Sequence, residues 1–461
     1  MKITHTIKTL AIAFLLLATS VVANAQAART GYFLKGNTYR YRLNPALMND
    51  QHYFAFPFLG EIDVRTTGRL GLSDFIYDSP DGTSLVTFMH PSINADDFLA
   101  GIKENNNFSL KYDMTLLSTG FFAFGGYNTL DIGLHSHSAL NVPYDMFKFM
   151  KTLGGGVYNL GGMNLSTRNY IDISIGHSHS FNNGLTIGAR FKFLLGAAYA
   201  NLMIEKMDVE LSGERWMIDA KGALSAAYGG NFTYDENGML NGFGNIVPGM
   251  NGWGLGLDLG FTYDLSDVLT KGLIVSASVT DLGNMKWRNV SKAGFAPEPY
   301  SFNGFENIGT SAGQGESVEE QMDAMGQDLQ DMFVLADQGV GSVSEELAST
   351  LHIGIEYKMP FYDRLSVGLL YTNCFDEVYP YHQLSLMANL SPLKWLSVAV
   401  SGTASTLGMD FGAMLNLHCT GFNIFVATDC FITKYNKQYI PLDDVNANVS
   451  VGFNIPFGKK R

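Results

Sequence analysis

Residues 253–265 read WGLGLDLGFTYDL and alternate without a break. Trp253, Leu255, Leu257, Leu259, Phe261, Tyr263 and Leu265 hold one phase. Gly254, Gly256, Asp258, Gly260, Thr262 and Asp264 hold the other. Successive side chains of a strand point to opposite faces, whereas a helix would scatter both sets around its axis. The stretch is read as a strand with one apolar face, ending in aromatics, and one small or polar face. Leu257 should meet hydrocarbon and Asp258 a solvated interior.

The pattern recurs. In 410–419, Phe411, Ala413, Leu415 and Leu417 oppose Asp410, Gly412, Asn416 and His418. In 446–457, Val449, Val451, Phe453, Ile455 and Phe457 oppose Asn446, Asn448, Ser450, Gly452 and Asn454. Residues 348–359, 365–375, 381–390, 395–404 and 421–431 read similarly. Charged residues make up 16% of the chain, where about 25% is usual in soluble domains. No run of 18 apolar residues follows the first segment, so no transmembrane helix is expected. Low charge and repeated alternation favour an all-β fold, a transmembrane antiparallel β-barrel, over a soluble sandwich. A net charge of −13 lacks the basic footprint that nucleic acid requires. Cys374, Cys419 and Cys430 make no disulfide framework and are read as isolated packing residues.

The start and the connections fit that class. Lys2 and Lys8 precede the apolar stretch Leu10 to Ala18, and Ala23-Asn24-Ala25 is a small-residue cleavage site. Residues 1–25 are read as a secretory signal peptide, with Gln26 first in the mature chain and the Gram-negative outer membrane as destination. Crossings are expected near 52–66, 107–124, 127–140, 169–181, 185–203, 253–265, 273–287, 349–359, 365–375, 381–390, 395–404, 409–418, 421–431 and 446–457. Short links alternate with long ones, as periplasmic turns alternate with extracellular loops. The long loops are 67–106, 141–168, 204–252 and 288–348. Links 376–380 and 405–408 are short although they fall on the long side. About fourteen strands are expected, within 12–16, since 204–228 is itself strand-like and reads as an extension outside the bilayer.

Two short stretches echo each other: HSH at 135–137 and HSH at 177–179. His135 and His137 share the phase of Asp131 and Gly133 and should point inward, in the outer half. His177 and His179 share the phase of Ile171, Ile173 and Ile175 and should point outward, beside the periplasmic turn. The pairs differ in face and depth, so no shared metal site is expected. His352, Glu356 and Lys358 fall on the inner face of one strand, where charges usually serve solvation and cross-strand pairing. GTSAG at 309–313 fits the nucleophile motif G-x-S-x-G, but no strand precedes it. Gly154–Gly156 and Gly161-Gly162 lack the Lys-Ser/Thr of a phosphate cradle. No enzyme activity and no cofactor are expected. Residues 143–153 open on Pro143, and a helix there puts Met146, Phe147, Met150 and Leu153 near one side. Residues 316–336 carry Val318, Met322, Met325, Leu329, Met332 and Phe333 at helical spacing. Both are expected to pack on the barrel mouth.

LNPAL at 43–47, GLGLDLGFTYDL followed by SASVTDLGNMKW at 276–287, and the ending NVSVGFNIPFG occur in an order that resembles FadL/PorV-like outer-membrane barrels. The resemblance is nearest to an uncharacterised Bacteroidetes outer-membrane family, a domain of unknown function, and covers the mature chain. It implies a fourteen-stranded barrel at 51–461, with residues 26–50, including Asn44-Pro45-Ala46, folded into or under the lumen as a hatch. FadL-type members carry hydrophobic small molecules, and PorV-type members serve protein secretion. The leading expectation is passage or capture of small hydrophobic or amphipathic molecules. The alternative is a non-transporting partner or scaffold in a secretion or surface-display assembly. Expected partners are outer-membrane lipid, a small hydrophobic ligand, and a protein at the extracellular loops. The lumen-facing candidates are Asn44, Asp131, His135, His137, Asp258, His352, Glu356, Asp410 and His418.

Overall fold

The computed structural model describes residues 28–458 except 57–59, 69, 71–73, 82–83, 153–155, 213–215, 246, 248, 296–299, 303–334, 407, 420 and 432–445. The segment 1–25, the serine motif at 309–313 and residues 316–334 therefore lie outside it. Leu335 and Ala336, placed at the end of an expected helix, open a strand Leu335–Glu346 instead.

Fourteen crossings close into one antiparallel barrel. They are β1 (His52–Ala55 and Glu61–Gly68), β2 (Asn105–Ala123), β3 (Gly126–Pro143), β4 (Met163–Ser180), β5 (Leu185–Leu211), β6 (Gly252–Asp264) and β7 (Leu273–Phe295). The rest are β8 (Ser349–Lys358), β9 (Leu365–Phe375), β10 (Tyr381–Leu393), β11 (Leu396–Ser405), β12 (Gly408–Cys419), β13 (Phe422–Thr428) and β14 (Ala447–Phe457). Both pieces of β1 pair with β14 on one side and β2 on the other, which closes the sheet. The β2–β3 link is a two-residue turn, with φ of 55° at Phe124 and 76° at Gly125. That left-handed pair matches the twist of a tight hairpin.

The period of two sorts the barrel into faces. Ile175 is 63% exposed and Phe411 62%, while Asp131 and Asp258 are fully buried. The exposed apolar band is the surface that a bilayer covers. Among the described residues no helix is long and apolar enough to cross a membrane. Strand β5 runs for 27 residues, while a tilted strand crosses the bilayer in about 9–11. Its outer half pairs with a strand at Trp216–Ala227, and the end of β7 pairs with Leu335–Glu346. The strand-like character of 204–228 thus belongs to a sheet standing beyond the bilayer.

Residues 28–50 lie inside the barrel. Tyr32, Tyr39 and Asn44 have no exposed surface. A 3₁₀ turn at Thr38–Arg42 is capped by Asn37, whose side chain accepts from the Tyr39 N–H at 3.1 Å. The Asn44 side chain accepts from the Ala46 N–H at 3.0 Å, closing a turn around Pro45. Among the described residues, two helices stand on the long-loop side, α1 (Ala95–Gly101) and α2 (Tyr144–Thr152). Phe147 and Met150 of α2 pack with Phe98 of α1 and with Phe88. Met146, expected beside them, joins a separate cluster around Tyr158, and Leu153 is outside the described residues.

Candidate functional site

At mid-height β1–β7 turn charged side chains inward, and the N-terminal segment meets them. Arg190 and Lys192 alternate with Ala189, Phe191 and Phe193 on β5, so both enter the lumen. The Arg190 guanidinium lies 3.2 Å from Asp131, 3.4 Å from Asp172 and 3.5 Å from Asp258. It also donates to the Ser174 hydroxyl at 2.6 Å. The Lys192 ammonium sits 2.8 Å from Asp258 and 2.6 Å from Asp281. Asp281 reaches it from a bulge in β7: the pairing slips between Leu257 and Leu259, and Asp281 has φ of 59°. The Asp281 N–H donates to Asp258 at 2.8 Å, which fixes the bulge.

The N-terminal segment is bonded into this network. Tyr41 donates to Asp131 at 2.6 Å. Arg42 pairs with Glu61 at 3.2 Å and with Asp131 at 3.4 Å. Tyr53 donates to the Tyr41 hydroxyl at 2.9 Å. His135 stands between two carboxylates: one ring nitrogen meets Asp113 and the other meets Asp172 at 2.8 Å. Bonds to carboxylates from both nitrogens describe an imidazolium that donates twice. His137 lies 3.7 Å from Asp113.

These groups enclose a chamber of about 60 Å³ lined by Arg42, Leu43, Glu61, Asp113, His135, His137, Tyr170, Asp172, Arg190, Lys192, Leu194 and Asp281, among others. That volume holds a few waters or a small polar head. It is well below the roughly 150 Å³ apolar cavity that accepts a benzene ring. Its floor is the N-terminal segment. The floor sits tightly because the wall has no side chain there: a Cβ on Gly188 would come within 2.3 Å of the Pro45 carbonyl, and one on Gly260 within 2.1 Å of the Asn44 side chain. Above the chamber, the turn 376–380 between β9 and β10 folds inward. Val378 and Tyr379 are buried, and Asn107 of β2, on the opposite wall, donates to the Val378 carbonyl at 3.2 Å.

The expected candidates do not form one site. Asp131, His135, His137 and Asp258 join the charged network. Asn44 anchors the floor, donating to the Tyr32 hydroxyl at 3.0 Å and to the Phe261 carbonyl at 3.3 Å. His352 and Glu356 are buried on β8, where His352 meets Thr372 at 3.0 Å and faces Tyr32. Asp410 and His418 are half-buried at opposite ends of β12, and His418 bonds Ser397 at 2.9 Å. The expectation of a solvated interior at Asp258 is corrected: that carboxylate is fully buried and held by Lys192, Arg190 and the bulge. His177 is exposed on the outer face with His179 beside it, ring centroids 6.5 Å apart, away from the first pair.

Sequence reasoning missed Tyr41, Arg42, Glu61, Asp113, Asp172, Arg190, Lys192 and Asp281 as site residues. The signal was present for most. A charged residue on the small-or-polar phase of a barrel strand has only the lumen to enter, and Asp113, Arg190 and Lys192 occupy such phases. Asp281 depends on a bulge that alternation does not reveal. A second cluster was also unforeseen. Asp429 accepts from the Arg29 and Thr30 N–H groups at 3.1 and 2.8 Å and from the Thr30 hydroxyl at 2.8 Å. It also pairs with the Arg29 and Arg65 guanidiniums.

Solved barrels of similar architecture include the toluene transporter TbuX of Ralstonia pickettii, at 10% identity and a TM-score of 0.41, over 90% of this chain and 91% of that one. The toluene transporter TodX of P. putida matches at 10% identity and 0.41, over 91% and 93%. The monoaromatic hydrocarbon channel CymD matches at 12% and 0.41, over 96% of each. Likenesses this distant carry no information on cargo. No curated protein matches the chain in sequence. Residues 45–429 match the model described as "Family of unknown function (DUF5723)", and the chain belongs to that family.

Proposed function

We propose that this protein is an outer-membrane barrel for the capture or passage of small amphipathic molecules, shut in the described conformation, with residues 26–50 as its hatch. The site residues on this reading are the chamber groups, with Asn44 holding the floor. The chamber carries the reading. Its network sets six carboxylates (Glu61, Asp113, Asp131, Asp172, Asp258, Asp281) against Arg42, Arg190, Lys192 and the doubly bonded His135. The lining of the chamber itself carries four of these acids, Glu61, Asp113, Asp172 and Asp281, beside all four cations. A lining of both signs favours a head group that carries both. A zwitterionic head fits it better than a head of one sign. Delivery through a cleaved signal at 1–25 to a Bacteroidetes outer membrane completes the proposal.

The test is flux into proteoliposomes of amphiphiles that share one short tail and carry an amine, a zwitterionic, a neutral or a carboxylate head. Entry of the zwitterion above protein-free liposomes and above the heads of one sign, reduced by Asp172→Asn, supports the reading. Flux equal to protein-free liposomes for every head group contradicts it and leaves the scaffold role.

A further inference from the structure

The turn 376–380 is an anomaly of the architecture. It joins β9 to β10 on the side where loops are long, yet it has five residues and points into the barrel. Nothing in a short hairpin link requires that. Strands β9 and β10 stand half-way round the fourteen-strand ring from β2 and β3. The Val378 carbonyl nevertheless accepts from Asn107 of β2. The cluster of Cys374, Tyr379 and Tyr381 packs against Ala139 of β3 and Ala348 beside β8. The turn therefore reaches across the lumen. Its shape is set locally, because the Asp376 carboxylate accepts from the N–H groups of Val378 and Tyr379 at 2.9 and 3.1 Å.

Its height follows from the strands it touches. On β2, Asn107 lies nearer the outer end than the chamber residue Asp113. On β3, Ala139 lies nearer the outer end than His135 and His137. The turn is thus directly above the chamber, between it and the long-loop side. The Asp376 carboxylate that shapes the turn stands in the field of Lys111 of β2 and Arg168 of β4.

We infer that residues 376–380 are the outer constriction of the barrel, and that Val378 and Tyr379 decide which solutes reach the chamber from outside. The inference rests on the proposed capture role, because a constriction matters only where something enters. Tyr381, the residue that follows, meets Arg29 at 3.4 Å, so displacement of the turn is felt by the first described residues of the floor.

The test measures access, not transport. His137→Cys, in a chain whose three native cysteines are replaced by serine, places one thiol in the chamber. The protein is reconstituted in liposomes, and a small charged thiol reagent is added on the long-loop side. The labelling rate is compared with the native turn and with Val378→Gly plus Tyr379→Gly. A second variant pairs Asn107→Cys with Val378→Cys in place of two glycines. Heat-shifted migration on a gel confirms that each barrel is folded. The inference expects several-fold faster labelling at position 137, read by peptide mass, with the thinned turn, and slower labelling at that position when the cross-lumen disulfide is oxidised than when the same pair is reduced and the reductant removed. Equal rates in all folded variants would overturn it. A positive labelling result with no amphiphile flux would instead reject the capture role and leave the constriction standing.

Discussion

Leu257 and Asp258 are neighbours in the chain and occupy different media. Leu257 lies on the outer phase of β6, and Asp258 is fully buried between Lys192 and Arg190. Leu257→Arg should cost about 2–4 kcal/mol, because hydrocarbon cannot solvate a guanidinium. Asp258→Asn should cost about 1–3 kcal/mol, because it leaves Lys192 and Arg190 short of a buried partner. Denaturant unfolding of both variants in the same lipid checks this; an Asp258→Asn variant as stable as wild type would mean that water fills the network. At this scale the sequence was legible in phase and illegible in contact. Alternation placed Asp131, His135 and Asp258 inward. It could not show that Asp258 is dry, because the groups that dry it come from β5 and from a bulge in β7.

Elements were more legible than their tethers. Each expected crossing has its strand, since lipid on one side and lumen on the other impose a period of two on every one. Only the resemblance, and no periodicity, spoke for residues 26–50: the described part is irregular chain whose stability comes from partners hundreds of residues away. Asp429 is such a partner. Asp429→Asn should release Arg29 and Thr30 from a buried carboxylate, lowering the local opening free energy by about 3 kcal/mol. Hydrogen exchange at 28–34 should then quicken roughly a hundredfold while the barrel strands stay protected. Unchanged exchange there would show that the segment is held by packing of Tyr32, Phe33 and Leu43 alone. The inward turn 376–380 was visible only as a length anomaly, since a five-residue link does not state which way it folds.

At the scale of the whole molecule, the account describes a closed wall with two internal barriers and a charged chamber between them. The wall follows from a general constraint: a sheet in hydrocarbon must pair every backbone group, so it closes. The floor follows from a particular one. Glycines at 188 and 260 remove the side chains that would keep Pro45 and Asn44 away. The central claim is that the N-terminal segment shuts the lumen by lying against those glycines. Conductance of the purified protein in planar bilayers tests it most directly. The account predicts no steady current for the wild type or for a barrel whose outer turn alone is thinned by Val378→Gly plus Tyr379→Gly, and a steady current when Gly188→Leu is added to that folded barrel, since the new side chain must displace the Pro45 backbone. A wild type that conducts steadily, or a folded barrel with the thinned turn and Gly188→Leu that stays as silent as the wild type, would contradict it.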